Sequence, residues 1–374
     1  MQKEQLDALL AHGVQHGASD IHFKVGDRPA YRIDGKLRPV KCDRLMPADT
    51  EEVCATLLAR DVPRDGLVRI QEHDTSYSVD GVARFRVNVY RQRGSLCCIL
   101  RVIPGSVPSI ETMNLPDAVR ALAEEERGLV LVTGATGSGK STTLAAMIDH
   151  INKTRPVHIL TIEDPIEYLH KNQMASVSQR EVGPDTYDFK TALRAALRQD
   201  PDVILVGEMR DTETIDIALK AAETGHMVFS TVHTTDAAKT VNRLIGVFPA
   251  EEQNRARVRL ADALRGIISQ RLVGRADGKG RVAVCEVLVG TSTARDHIRE
   301  GRDGALIELM TKGGTQYGMQ TFDQHLIRLY RDGVITLEAA KSAATSPGDL
   351  MQELSFGAGA SDFQPAGEEQ LQLE

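Results

Sequence analysis

A chain of 374 residues, 41% hydrophobic and 26% charged, has the composition of a globular protein and is too long for one ordinary core, so two or three domains are expected. Its formal net charge of -7 argues against a nonspecific nucleic-acid binder, and the lack of tryptophan among few aromatics argues against a base-stacking surface. No apolar run reaches the length of a membrane span, the start MQKEQLDALL lacks the regions of a signal peptide, and the five cysteines form no C-x-x-C pair. These features predict a cytoplasmic protein without a zinc ribbon or a disulfide framework.

Residues 1–103 read as a separate small α/β domain. Leu6, Leu9, Leu10 and Val14 line one side of a helix over 5–16, and residues 18–23 begin a strand. Residues 31–37 form a hairpin around Asp34-Gly35, and a helix follows at 48–59. His22 has no second ligand at metal-binding spacing and reads as a surface strand residue. In Arg84-Phe85-Arg86-Val87-Asn88-Val89, polar and apolar residues alternate as in a strand with one buried face, and Arg91 and Arg93 fall in the following turn. Such a row is either a solvated face or a source of arginine for a bound nucleotide. Pro104, Gly105 and Pro108 punctuate an interdomain linker over 104–112, ahead of a second domain over 113–355.

That domain opens with the pattern G-x-x-x-x-G-K-[ST]. Gly134, Ala135, Thr136, Gly137, Ser138, Gly139, Lys140 and Ser141 lie between an apolar run at 129–132 and a helix over 141–152 that begins with Ser141 and Thr142. Glycines let successive N–H groups face one anion, and the helix adds its positive end. Lys140 is expected to reach the terminal phosphates of ATP, and Ser141 to offer its hydroxyl to Mg²⁺.

Further on, the strand at 158–162 ends in Glu163-Asp164-Pro165-Ile166-Glu167, placing carboxylates where open α/β sheets bind ligands. One of them could orient or deprotonate the attacking water; the alternative is a solvated turn. Val203-Ile204-Leu205-Val206 followed by Gly207-Glu208 has the form of a Walker B strand with its acid beside Mg²⁺. A helix at 212–224 leads to a buried strand flanked by His226 and His233, and a polar strand end can sense a γ-phosphate. Residues 251–272 read as one long helix with Val258, Ala261, Leu264 and Ile268 inward. A strand at 282–289 precedes short helices at 294–301, 305–312, 321–330 and 337–344, and 356–374 reads as a disordered tail.

In this order, the segments 134–142, 161–168, 197–211 and 225–240 resemble the phosphate loop, Asp box, Walker B signature and His box of the type II and type IV pilus secretion ATPases, above all their pilus-retraction branch, the PilT/PilU family. The resemblance runs from about residue 5 to 355. It implies an N-terminal PAS-like domain, a RecA-like P-loop ATPase core and a homohexamer with ATP between neighbouring subunits. It implies Glu163 as catalytic carboxylate, Glu208 as the acid acting on Mg²⁺, His226 and His233 as sensors, and Arg84, Arg86 or Arg91 as an arginine finger. The implied partners are an inner-membrane pilus platform protein and a related motor ATPase, with no specific nucleic acid, and the implied location is the pilus base. No tetracysteine module of the extension motors is present, which favours retraction. In the branch's C-terminal motif, 293–300, Asp296 and His297 replace Asn and Leu, so an accessory motor or a divergent paralogue stays open, with an extension or secretion ATPase as a further alternative. A DNA translocase and a nucleotide-binding partner without turnover are the rival classes.

Overall fold

A computed structural model of the protein describes residues 1–357. In chain order its strands are β1 (Asp20–Phe23), β2 (Ala30–Ile33), β3 (Lys36–Pro39), β4 (Glu72–Val79), β5 (Ala83–Gln92), β6 (Ser95–Ile103), β7 (Gly128–Gly134), β8 (His158–Glu163), β9 (Ser176–Glu181), β10 (Val203–Val206), β11 (Met227–Val232), β12 (Leu264–Gly274) and β13 (Arg281–Val289). The chain forms two compact units, one joining Met1–Ser109 to Leu144–Glu208, the other joining Ile110–Thr143 to the chain from Met209 onward.

Alternation of apolar and polar residues builds the antiparallel N-terminal sheet of the first unit, in the order β3-β2-β1-β6-β5-β4. Asp34 and Gly35 both have positive φ, 50° and 75°, the backbone of a two-residue hairpin turn whose twist matches the strands it joins. Helix Lys3–Gln15 buries Leu6 and Leu10, which join Ile21, Phe23, Phe85, Val87, Val89 and Leu100 in one core. Each such side chain contributes roughly 2 kcal/mol of burial. Gly13 lets this helix approach the sheet, because a Cβ there would stand 2.9 Å from Ile21 Cδ1 and 3.0 Å from Tyr31 Cε1. β5 buries Phe85, Val87 and Val89 and leaves Arg86 exposed, as its alternation requires; Arg91 belongs to this strand rather than to the turn after it.

The same unit contains a parallel set of strands in the order β10-β8-β9, with Val203 paired to Ile159 and Glu163 to Glu181. Ile159 to Ile162 and all of β10 are buried, as expected of parallel strands covered on both faces.

In the second unit the order is β13-β12-β7-β11, parallel except for the β12–β13 hairpin. The long helix expected over 251–272 is not one element. Helix Ala250–Ala263 stops where β12 begins, and Leu264 and Ile268 are strand residues paired with β7 and β13. Gly266 and the β-branched pair Ile267-Ile268 disfavour helix, and a Cβ at Gly266 would lie 2.6 Å from Leu122 Cδ1, so the strand needs glycine there. Val258, expected inward, is 40% exposed. Short helices follow β13, several capped by threonine, and Phe322 and Leu326 pack on Val273, Val282 and Val284. The last helix, Pro347–Gly357, enters the expected tail, whose remainder, 358–374, lies outside the described residues.

Candidate nucleotide site

Between β7 and the helix Lys140–Thr154, the loop turns through positive φ at Gly134 (144°), Gly137 (77°) and Gly139 (92°). A Cβ at Gly134 would meet Gln270 O and Ser138 Oγ at 2.5 Å, so the tightness of the curl depends on glycine. Ala135 to Gly137 are exposed, while Ser138 and Lys140 are buried beneath them. Lys140 Nζ donates to Gly134 O and Ala135 O, both at 3.0 Å, and so spans the loop it belongs to. Ser138 Oγ is buried and finds no partner among the described residues, a hydroxyl left for an anion oxygen to satisfy. Ser141 is exposed and Thr142 half-buried at the start of the helix, where its positive end lies. A triphosphate fits these donors.

Behind the loop a buried polar chain holds it in place. Thr133 Oγ1 donates to Ser269 Oγ at 3.0 Å, and Gln270 Nε2 to Thr143 Oγ1 at 2.8 Å. Glu286 on β13 accepts Ala237 N–H at 2.8 Å, holding the start of helix Ala237–Gly246 just after His233. Burial, helped by the nearby charge of Asp236, pushes the Glu286 carboxyl up to about 7. A carboxyl raised in the folded state keeps a proton that the unfolded chain has lost, so this group's effect on stability falls between about pH 4.5 and 7 and is level above. Glu286→Gln removes that penalty while keeping an acceptor. Its stability relative to wild type is expected to rise by on the order of 3 kcal/mol from pH 5 to 8, read from denaturant melts across that range. A difference independent of pH would remove the assignment.

In the first unit, β9, β8 and β10 bring Glu181, Glu163 and the Gly207-Glu208 pair to one edge, the C-terminal ends of the strands. Glu163 Oε1 accepts from Thr161 Oγ1 at 2.7 Å and Gln179 Nε2 at 3.2 Å, while Glu167 N–H reaches Oε2 at 3.4 Å. Burial raises its pKa, only partly offset by these donors. Glu208 is half-buried two residues past β10.

The three arginines diverge. Arg84 Nη2 pairs with Glu181 Oε2 at 2.8 Å and donates to Ser76 Oγ at 2.7 Å. Arg91 spends its guanidinium on the carbonyls of Leu67, Val68, Ile70 and Gly94. Arg86, between Phe85 and Val87, is exposed. The two histidines also separate. Val232 pairs with Thr133, so His233 stands at the same edge as Gly134. His226 precedes Met227, the partner of Gly128, about 20 Å of strand away. Its Nδ1 lies 3.0 Å from Ala221 O and 3.2 Å from Thr224 Oγ1, so it fastens the end of helix Thr212–Glu223. Gln179, Glu181, Gln270 and Glu286 are site residues that sequence reasoning missed. The one signal was Glu286, a lone acid inside the apolar run VAVCEVLV.

A glycine loop closed over its own lysine between a parallel strand and a helix N-terminus defines a P-loop nucleotide-binding protein of α/β class. The chain belongs to the family described as Type II/IV secretion system protein, which matches residues 2–332. It is 47% identical to the type IV pilus retraction ATPase PilT of Pseudomonas aeruginosa PAO1 over 91% of this chain and 98% of that one. It is 42% identical to the type IV pilus ATPase PilU of the same strain, over 94% of this chain and 92% of that one. A crystal structure of the pilus retraction motor PilT with bound ADP superposes with a TM-score of 0.85 at 46% identity, covering 93% of this chain and 99% of that one. The N-terminal α/β domain ahead of a P-loop core with short C-terminal helices is thus the fold that the motifs implied.

Proposed function

We propose that this protein is the ATPase motor of type IV pilus retraction, hydrolysing ATP to drive pilin subunits out of the filament. The observation that carries this reading is the likeness to PilT along almost the whole of both chains, joined to a complete phosphate loop. ATP binds with its phosphates on the N–H groups of 135–141 and on Ser138 Oγ. Lys140 Nζ leaves the carbonyls of Gly134 and Ala135 for the β- and γ-phosphates. Glu163 takes a proton from the water that attacks the γ-phosphate, and its raised pKa makes it a stronger base than an exposed glutamate. His233 reads the presence of that phosphate, and Arg86 supplies an arginine to a neighbouring copy's nucleotide. His226, Arg84 and Arg91 serve structure instead, each committed to partners of its own.

Magnesium would be held by the Ser141 hydroxyl and the Glu208 carboxylate, oxygen donors of the kind it prefers. When bound it neutralises charge on the phosphates.

The working assembly is a ring of six copies at the cytoplasmic face of the inner membrane, docked on a platform protein and able to work beside a second motor of the PilU kind. The linker 104–112 is where ATP and ADP states shift the N-terminal domain against the core. Deletion of the gene tests the direction of motion. Retraction predicts retained or increased surface pili and lost twitching, restored by the wild-type gene and not by one carrying Lys140→Ala. Loss of pili would make this an extension motor, and unchanged twitching would leave it an accessory one.

A further inference from the structure

Glu181 ends β9 directly beside Glu163, its register partner on β8. In parallel strands paired residues leave the same face, and Thr161 and Gln179, each two residues earlier, reach Glu163 Oε1 from that face. A second carboxylate next to a buried one is unfavourable unless a cation compensates it. Arg84 is that cation, in a pair whose side chains are 19% and 4% exposed and therefore weakly screened. Glu181 Oε2, the oxygen that receives Arg84, also accepts Ile166 N–H at 3.2 Å. Ile166 lies in the loop between Glu163 and Glu167, and Glu167 N–H reaches back to Glu163. One oxygen thus receives both the guanidinium of the N-terminal sheet and an amide of the loop that shapes the surroundings of Glu163.

Resting on the reading of Glu163 as the base, we propose that Glu181 is a positioning residue for hydrolysis, tying the loop 164–167 to the seating of Arg84 so that the N-terminal sheet controls where the Glu163 carboxylate stands. Without the carboxylate, Ile166 N–H loses its acceptor. Without Arg84, a buried anion is left uncompensated and draws water or a new partner into the loop.

The test compares Glu181→Ala, Arg84→Ala and the double variant with wild type, using the full-length protein. Each single change is expected to lower kcat about ten- to a hundred-fold, the scale of a misplaced catalytic group. KM and the dissociation constant for a fluorescent ATP analogue stay within about two-fold, because the phosphate loop is untouched. The double variant is no slower than the slower single, since both cut the same link. Hydrogen exchange of the Ile166 and Glu167 amides in nucleotide-free protein is faster in both singles. Unchanged kcat in Glu181→Ala, losses that multiply in the double variant, or unaccelerated exchange would overturn the assignment. Should thermal unfolding show either protein unfolded, Glu181→Asp and Arg84→Lys carry the same comparison. Exchange is read without turnover, so a wild-type protein that failed to hydrolyse ATP would sink the motor reading and leave Glu181 to be decided by the exchange data.

Discussion

Glutamine at position 163 is expected to lower kcat for ATP hydrolysis by about 10²- to 10⁴-fold, the range of a positioned general base, while ATP binding stays within a few-fold of wild type. Glutamine keeps a carbonyl oxygen for Thr161 Oγ1 and Gln179 Nε2 and loses only the 3.4 Å contact from Glu167 N–H, so the strand end keeps its shape. What disappears is the proton acceptor. Phosphate release under saturating ATP measures the loss, and a fluorescent nucleotide titration shows that binding survives. The pH profile adds a second check with a definite sign. The base works ionised, so wild-type kcat falls as pH drops through the pKa of Glu163, and burial places that limb above the range of an exposed glutamate. Wild-type turnover in Glu163→Gln would move the base elsewhere, and a limb at the exposed position would mean that the carboxylate is wet during hydrolysis.

How much of this was legible in the chain depended on range. The phosphate loop was readable because every part of it is local: strand, glycines, lysine and helix follow one another within a few residues. The strands leading to Glu163 and Glu208 were readable for the same reason, as apolar runs followed by an acid. β9 was not, because SVSQRE is a half-buried polar strand with no periodic apolar face, and Gln179 and Glu181 went unnoticed with it. The fate of Arg84 was also invisible, since its partner lies 97 residues away. Sequence placed His226 and His233 on equal terms at the two ends of one strand. Only the parallel register with β7 shows which end faces the phosphate loop. β12 was misread because spacings of three and four residues continued by coincidence from a helix into a strand, and Gly266 was the warning.

Lys140→Ala is expected to abolish measurable hydrolysis, with kcat/KM down by about 10³-fold or more. Loss of one preorganised donor to the transferring phosphoryl group accounts for about 10²- to 10³-fold, and loss of a charge-assisted contact to bound ATP weakens affinity by a further ten-fold or so. Here the lysine is doubly committed. In the structure Lys140 is only 7% exposed and its ammonium holds the carbonyls of Gly134 and Ala135, so the loop is drawn closed over a cation before any phosphate arrives. Alanine therefore removes the charge that ATP meets and also leaves two carbonyl oxygens without that donor. The second effect relaxes the loop rather than the fold, because Thr143 to Gln270 and Thr133 to Ser269 still anchor it from behind. Thermal unfolding of the nucleotide-free variant should accordingly fall within a few degrees of wild type, while the rise in melting temperature that saturating ATP gives the wild type disappears. That pairing separates a lost phosphate site from a damaged protein. A variant that kept both the stabilisation by ATP and its turnover would show that the phosphates are gripped somewhere other than this loop.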